Sequence, residues 1–231
     1  MYIFNSSDIA TAVTKDFINF WNIYSWETIE EDAFDSSLEK GRALMPKEGN
    51  LRAYYNNQYL GSATIADFYG ALFGSAQKEV LILPFVPTID GNLLKMISYA
   101  TSRDVHVEMI LRCDDRPNLL NSSHFMSKPL IEAGTTIYHE NNIGNNGSLL
   151  HEKLVIVDSR YVMVGSENFN IRSTGKSSEL VLIIDDENLA TQIRNHYMEI
   201  QSGAYEVTEE QARSWHTLFN AICCLICRYG G

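Results

Sequence analysis

HEKLVIVDSRYVMVGSENFN, running from His151 to Asn170, is the stretch whose reading decides the fold. Leu154-Val155-Ile156-Val157 is an apolar, mostly β-branched run of the kind found in buried strands. Ser159-Arg160 supplies a tight turn, and Tyr161-Val162-Met163-Val164 reads as the returning strand. His151 and Lys153 stand two residues apart, so on an extended backbone both side chains leave the same face. Gly165 and Ser166 then open a loop in which Asn168 offers an amide donor. A histidine, an ammonium and an amide gathered at the end of a sheet suit a phosphoryl group. The imidazole can attack phosphorus, while the ammonium and amide stabilise charge on its equatorial oxygens. The plain alternative is a β meander that happens to carry a histidine and a lysine at a strand end.

The spacing H-x-K, four residues, D, six residues, G-S-x-N resembles the signature of the phospholipase D superfamily at every fixed position. Asn170, Arg172, Ser173 and Glu179 extend the likeness to the N-x-R-S and trailing Glu of cardiolipin synthase-like members. The likeness covers residues 51–200, including L-P-F-V-P at 83–87 and A-G-x-x-I-Y at 133–138. It implies a phosphodiesterase or phosphatidyl transferase acting on phospholipids through a phosphohistidine intermediate, with no metal and no cofactor. His151 would be the nucleophile or the acid. Lys153 and Asn168 would bind phosphate oxygens, with Ser166 and Gly165 in support. Asp158 or Glu179 would orient an imidazole. A nuclease of the same superfamily is the competing activity, and an inactive half-protein that lost its first motif is the competing non-enzyme.

In the resembled family two such motifs meet, one histidine attacking and the other protonating the leaving alcohol. Here His106, His124, His139, His196 and His216 all lack a lysine two residues on, so the chain carries one motif. The second histidine is therefore expected from a homodimer or from a first-half partner chain. His139 could line the cleft and His124 could contact substrate from its loop, but a surface histidine at a strand end and an ordinary loop histidine are the favoured readings.

Outward from the motif, strands alternate with helices. Residues 79–83, 105–111 and 135–139 read as strands, 62–77 as a helix capped by Ser62, and 90–101 as a helix capped by Asp90. Pro84-Phe85-Val86-Pro87 is a rigid loop at a strand end. Residues 118–127 are polar and read as a loop over the site; 129–133 form a short helix with Gly134 as its C-cap. Four asparagines and two glycines within 141–148 favour another loop. The expectation is an α/β fold, an α/β/α sandwich with a mixed, mostly parallel sheet, phospholipase D-like.

Residues 183–200 align without a gap on residues 3–20, at a constant offset of 180. Ala10-Thr11 meets Ala190-Thr191, Val13 meets Ile193 and Phe17 meets Tyr197. The N-terminal segment thus reads as the close of a first half, with Ile3-Phe4 as a strand end and Ser6 at a helix N-cap. The domains expected are 1–50, a remnant-like helix and linker; 51–204, the catalytic domain; and 205–231, a C-terminal amphipathic helix.

Lys and Arg number 18 against 29 Asp and Glu, a net charge of −11. That balance makes nucleic acid a weaker partner than phospholipid, because nucleic-acid affinity comes largely from phosphate neutralisation by basic side chains. The cysteines, Cys113 alone and Cys223, Cys224 and Cys227 together, are not spaced as a disulfide framework. With no secretory signal and no run of transmembrane length, the expected location is cytoplasmic, with peripheral membrane contact a further expectation. Cys223 or Cys224 would serve either as an acylated anchor on the last helix or as small hydrophobes packing it into the core.

Overall fold

The computed structural model describes residues 6–44, 52–57, 64–112, 116–141, 150–175 and 177–230, and the chain divides into two compact units, Met1–Leu51 and Arg52–Gly231.

In the first unit, α1 (Ser7–Tyr24) starts at Ser6, whose side chain accepts from the Ile9 N–H. Asn22 then ties the following segment back through both bonds of its amide to Ile29, at 2.9 and 2.8 Å. The segment expected to be a linker contains a helix, α2 (Asp35–Leu44). Its residues are mostly charged or polar, with Leu38, Ala43 and Leu44 the apolar exceptions, which is why composition alone hid it. The strand expected at Ile3-Phe4 lies outside the described residues.

The second unit is built on an eight-stranded sheet: β1 (Arg52–Asn57), β2 (Glu79–Leu83), β3 (His106–Leu111), β4 (Thr135–Glu140), β5 (Leu154–Val157), β6 (Tyr161–Gly165), β7 (Leu180–Asp185) and β8 (Ala204–Glu206). Their order is β1-β7-β6-β5-β2-β3-β4-β8. The sheet is mixed, but the expected parallel majority is corrected: only β2–β3 and β3–β4 pair in parallel. The other five pairings are antiparallel. Parallel neighbours need a crossover, and helices α4 (Gly91–Thr101) and α5 (Pro117–Glu132) supply them. A tight turn joins β5 to β6, a segment holding the short helix α6 (Ile171–Gly175) returns the chain from β6 to β7, and a longer helix separates β7 from β8. Strands buried on both faces lose their alternation, so their sequence does not distinguish the two cases.

Val80, Ile82, Val107, Met109, Val155 and Met163 share one apolar cluster with helix residues Tyr69, Phe73, Leu93, Ile97 and Leu130. These come from α3 (Ile65–Ser75), α4 and α5. Alternate strand residues such as Leu81, Ile110, Ile156 and Val162 are equally buried and face the other side, where α7 (Glu187–Ser202) lies across β5 and β6. A sheet between helix layers, an α/β/α sandwich, is the result.

Helix starts follow local chemistry. Thr64 and Asp67 form a capping box at α3, and Asp90 accepts from Asn92 and Leu93 at α4; the cap expected at Ser62 lies outside the described residues. Gly134, at φ +93, follows α5 where a Cβ would stand 2.9 Å from Thr101.

Residues 118–127 are corrected from loop to helix, being part of α5. Their serines bury completely: Ser122 0%, Ser123 2% and Ser127 0% exposed. α9 (Leu218–Gly230) packs along α5 together with α8 (Glu209–Trp215), and Ser122 meets Cys224 and Cys227 of α9. Small polar side chains favour loops locally, yet they let two helices approach closely. Cys223, Cys224 and Cys227 are buried and unbridged, so they pack α9 inward, and the acylated-anchor alternative loses the exposed thiol it needs.

The expected repeat has a counterpart in the helix caps. Asp186 caps α7 by accepting from Leu189, as Ser6 caps α1 by accepting from Ile9. Tyr197 of α7 is 0% exposed, whereas Phe17, 180 residues earlier, is 48% exposed.

Candidate active site

Pairing of β5 against β2, with Leu154 opposite Leu83, brings the residues before β5 beside the loop after β2. His151 and Lys153 therefore meet Phe85. The His151 ring stands edge-on to the Phe85 ring, 4.4 Å between centroids at 82°. The Lys153 ammonium lies 5.1 Å from the same ring's centre and 3.0 Å from His151 Nε2. Lys153 also donates to the His151 carbonyl at 3.0 Å. Arg112 and Arg116 flank Phe85, their guanidinium carbons 5.2 and 5.7 Å from its centroid.

This concentration of positive charge sets the protonation states. Partial burial, then the charges of Lys153, Arg112 and Arg116, hold the His151 imidazolium below the ordinary histidine range. Lys153 is also lowered, burial being the foremost cause, with Glu167 and Glu179 opposing and Arg112 adding to it. A neutral imidazole beside an ammonium is a nucleophile next to an anion seat.

The second part of the site is the loop after β6. Glu179 clamps it: Ser166 Oγ donates to Glu179 Oε2 at 2.5 Å and Ser173 Oγ donates to Oε1 at 2.8 Å. Ser173 Oγ in turn accepts from the Asn168 N–H at 2.9 Å, and Ser166 exchanges bonds with Leu180 on β7. Gly165 is required here, because a Cβ would run into the Leu180 carbonyl and the Glu167 carboxylate. The Asn168 side-chain oxygen is buried with no hydrogen-bond partner among the described residues.

Asp158 is not brought to this site. It lies at the far end of β5 from His151, with the four-residue strand accounting for roughly 13 Å of the separation. Its carboxylate accepts from the backbone N–H groups of Gln77, Lys78 and Glu79 at 2.9, 2.8 and 3.0 Å. Asp158 and Ser159 both have positive φ, 54° and 53°, making the tight β5–β6 turn. The geometry gives Asp158 a structural task and leaves Glu179 as the acid tied to the motif loop.

Nor do the other five histidines of the chain meet His151. His106 pairs with Glu108 at 3.1 Å and His196 with Glu152 at 2.9 Å. His124 stacks on Trp215 with centroids 4.0 Å apart and lies 5.2 Å from His139. Burial, then His139, holds the His124 imidazolium down at about 4. His216 stacks on Phe125. His124 and His139 belong to an aromatic cluster with Trp215 of α8, and His139, expected at the surface of a strand end, is 2% exposed.

Phe85 and Glu167 are the residues that sequence reasoning missed. Phe85 was legible only as part of a proline-flanked loop. Glu167 occupies the variable position of G-S-x-N, 1% exposed, with one oxygen lacking a hydrogen-bond partner among the described residues. Burial, with the nearby Glu179 charge, pushes its carboxyl up to about 8. No pattern in the sequence marks a glutamate as buried.

Against known proteins, the family described as "Cardiolipin synthase, PLD-like domain" matches residues 69–200. Cardiolipin synthase A of Edwardsiella ictaluri is 29% identical over 177 residues, covering 70% of this chain and 35% of that protein. Cardiolipin synthase 1 of Staphylococcus aureus is 25% identical over 212 residues, covering 88% and 40%. The chain thus spans well under half the length of these curated relatives. Among solved structures, Nuc of Salmonella typhimurium, a phospholipase D family member, superposes with a TM-score of 0.56 at 20% identity, over 68% of this chain and 99% of that one. Phosphatidylserine synthase of Haemophilus influenzae gives 0.60 at 14% identity, over 95% and 62%.

Proposed function

This chain belongs to the cardiolipin synthase, phospholipase D-like domain family, and from that premise we propose that it carries the second-motif half of a phospholipid phosphodiesterase or phosphatidyl transferase working through a phosphohistidine. The observation that supports the reading most directly is the 3.0 Å approach of Lys153 Nζ to His151 Nε2. It puts a lone-pair donor and a positive charge where a phosphate diester needs both.

In this reading His151 attacks phosphorus. The phosphorus–nitrogen bond forms as the bond to the leaving alcohol oxygen breaks, and a second histidine gives that oxygen a proton. Lys153 and the Asn168 amide hold the non-bridging oxygens, whose charge grows in the transition state. Water or an acceptor alcohol then attacks the phosphorus and gives its proton to the second histidine. Rupture of the phosphorus–nitrogen bond frees His151. Ser166 and Glu179 act by fixing the loop that carries Asn168. Since the five other histidines are engaged elsewhere, the second histidine comes from a second copy or from a first-half partner chain.

Turnover of phosphatidylglycerol and phosphatidylcholine, measured beside single-stranded DNA and a His151→Ala control, tests the proposal. Lipid turnover that is lost in the variant, with phosphate trapped on the His151 peptide, is the expected outcome. Preference for DNA would make the protein a nuclease. No turnover of any phosphodiester, even with a partner half supplied, would favour an inactive half-protein.

A further inference from the structure

We infer that the outer face of α9 is a lipid-contact surface that seats the second unit on the bilayer holding its substrate; this rests on the phospholipid reading of the site. Leu218, Phe219, Ile222, Leu225 and Ile226 are 80, 64, 49, 56 and 55% exposed. They recur at i, i+1, i+4, i+7 and i+8, one continuous helical stripe. The opposite face carries Asn220, Cys223, Cys224 and Cys227, all buried. Among the described residues of this unit, the only other large hydrophobics exposed to a similar degree are Tyr99 and Leu180. Within this unit, exposed apolar surface is therefore concentrated on one helix.

Three features select a membrane as the occupant. The first is charge: in a chain with 29 carboxylate residues, α9 has none, and its single charged side chain is Arg228. A face free of acids suits a surface bearing phosphates. The second is size. A 13-residue helix is about 20 Å long and about 10 Å wide, so one face offers roughly 200 Å², against about 800 Å² per partner in a stable protein complex. The stripe is too small to hold a second copy by itself, whereas an apolar helix face of this size can sink into an acyl boundary.

The third feature is continuity with the site. Cys227 packs in one small cluster with Val86, Leu119 and Phe85, and Phe85 is the ring against which His151 and Lys153 stand. Arg228 donates to the Ile89 carbonyl at 2.8 Å, at the end of the same loop. The helix that presents the apolar stripe is thus bolted to the loop that floors the reaction centre. Seated through its stripe, α9 would hold the loop that carries Phe85 close to the bilayer.

The test is sedimentation of the full chain with vesicles of mixed phosphatidylcholine and phosphatidylglycerol, comparing wild type with Leu225→Gln/Ile226→Gln and, separately, Leu218→Gln/Phe219→Gln. Both pairs are exposed, so circular dichroism should show the fold retained. The expected result is a loss of vesicle binding of about ten-fold or more in each variant, with turnover of a short-chain, micelle-free phosphatidylglycerol unchanged. Vesicle binding equal to wild type in both variants overturns the inference, as does a wild type that binds no vesicles. A change from dimer to monomer in the variants, with vesicle binding kept, overturns it in favour of a second copy. Vesicle binding that depends on α9 in a protein inactive on all phospholipids would sustain the surface and remove the catalytic reading.

Discussion

His151 Nε2 stands 3.0 Å from Lys153 Nζ, with both side chains against the face or edge of Phe85. Two residues apart on an extended segment, they share a direction because of backbone pleating, and the apolar ring beneath them removes part of their water. Each consequence favours the neutral imidazole. A buried ring resists protonation, and a neighbouring ammonium resists it further.

The pH profile should carry that signature. In the proposed mechanism His151 attacks only when neutral, and its folded pKa lies below the ordinary 6.5. The acidic limb of kcat/KM should therefore fall at a pH below 6.5, with activity lost as pH drops through the folded value. Lys153→Met removes one positive neighbour, so the limb should move toward higher pH in whatever activity remains, alongside a loss of about 100-fold or more in kcat. A limb that stays in place in the variant would mean that another group titrates.

Asp158 belongs to the scaffold, and its variants should show it. Removing the carboxylate strands three backbone N–H groups, those of Gln77, Lys78 and Glu79, and loosens a turn held at positive φ. Asp158→Ala should cost about 3 kcal/mol, a fall of roughly 6–12 °C in Tm for a unit of this size. Its kcat, measured well below the new Tm, should stay within a few-fold of wild type. A large kcat defect at unchanged Tm would restore Asp158 to the chemistry.

What was legible in the sequence divides along physical lines. The β5–β6 hairpin, the Asp90 cap and the juxtaposition of His151 with Lys153 follow from local rules, namely apolar runs, capping residues and the two-residue repeat of a strand. The misread features depend on partners distant in sequence. Asn118 to Ser127 reads as a loop because its serines and asparagines favour turns, and only the close approach of α9 makes Ser122 a helix-contact residue. Asp158 was assigned to the site by its place in the motif, although β5 carries it to the opposite end of the strand. Phe85 and Glu167 owe their roles to the β2–β5 pairing and to burial, and neither is written in their neighbours.

Glu167 should make the protein less stable as pH rises. Its carboxyl titrates at about 8 when folded, against 4.5 as the ordinary value, chiefly because it is buried. Between those values the folded state holds a proton that the unfolded state has released. Stability is therefore greatest below 4.5 on this account and declines until pH passes about 8. Glu167→Gln keeps the shape of the neutral acid and cannot ionise. Urea denaturation should find the variant more stable than wild type at pH 8, by a few kcal/mol at about 1.4 kcal/mol per pH unit, and the difference should vanish near pH 4. Equal slopes of stability against pH in both proteins would show that Glu167 is already ionised in the fold.

Chelation should leave activity unchanged. In the proposed mechanism Lys153 and the Asn168 amide supply the positive and dipolar groups that a metal would otherwise provide at the non-bridging oxygens. Turnover that disappears in EDTA and returns with magnesium would place the phosphoryl chemistry on a different footing.

Assembly decides whether the single motif is enough. In-line displacement needs the nucleophile and the proton donor on opposite sides of phosphorus, and His106, His124, His139, His196 and His216 are held in other contacts. A second copy related by a twofold axis would bring its own His151 to the far side, one composite site per dimer. Inactive subunits should then poison active ones. After subunit exchange with an equal amount of His151→Ala protein, about half of the wild-type chains sit in mixed dimers, and activity per wild-type chain should fall to match. If a first-half partner chain supplies the histidine instead, His151→Ala protein should compete for that partner. Poisoning should then vanish once the partner is in excess. A strict monomer by mass in solution, fully active without a partner and unaffected by the mutant subunit, would defeat the two-histidine requirement altogether.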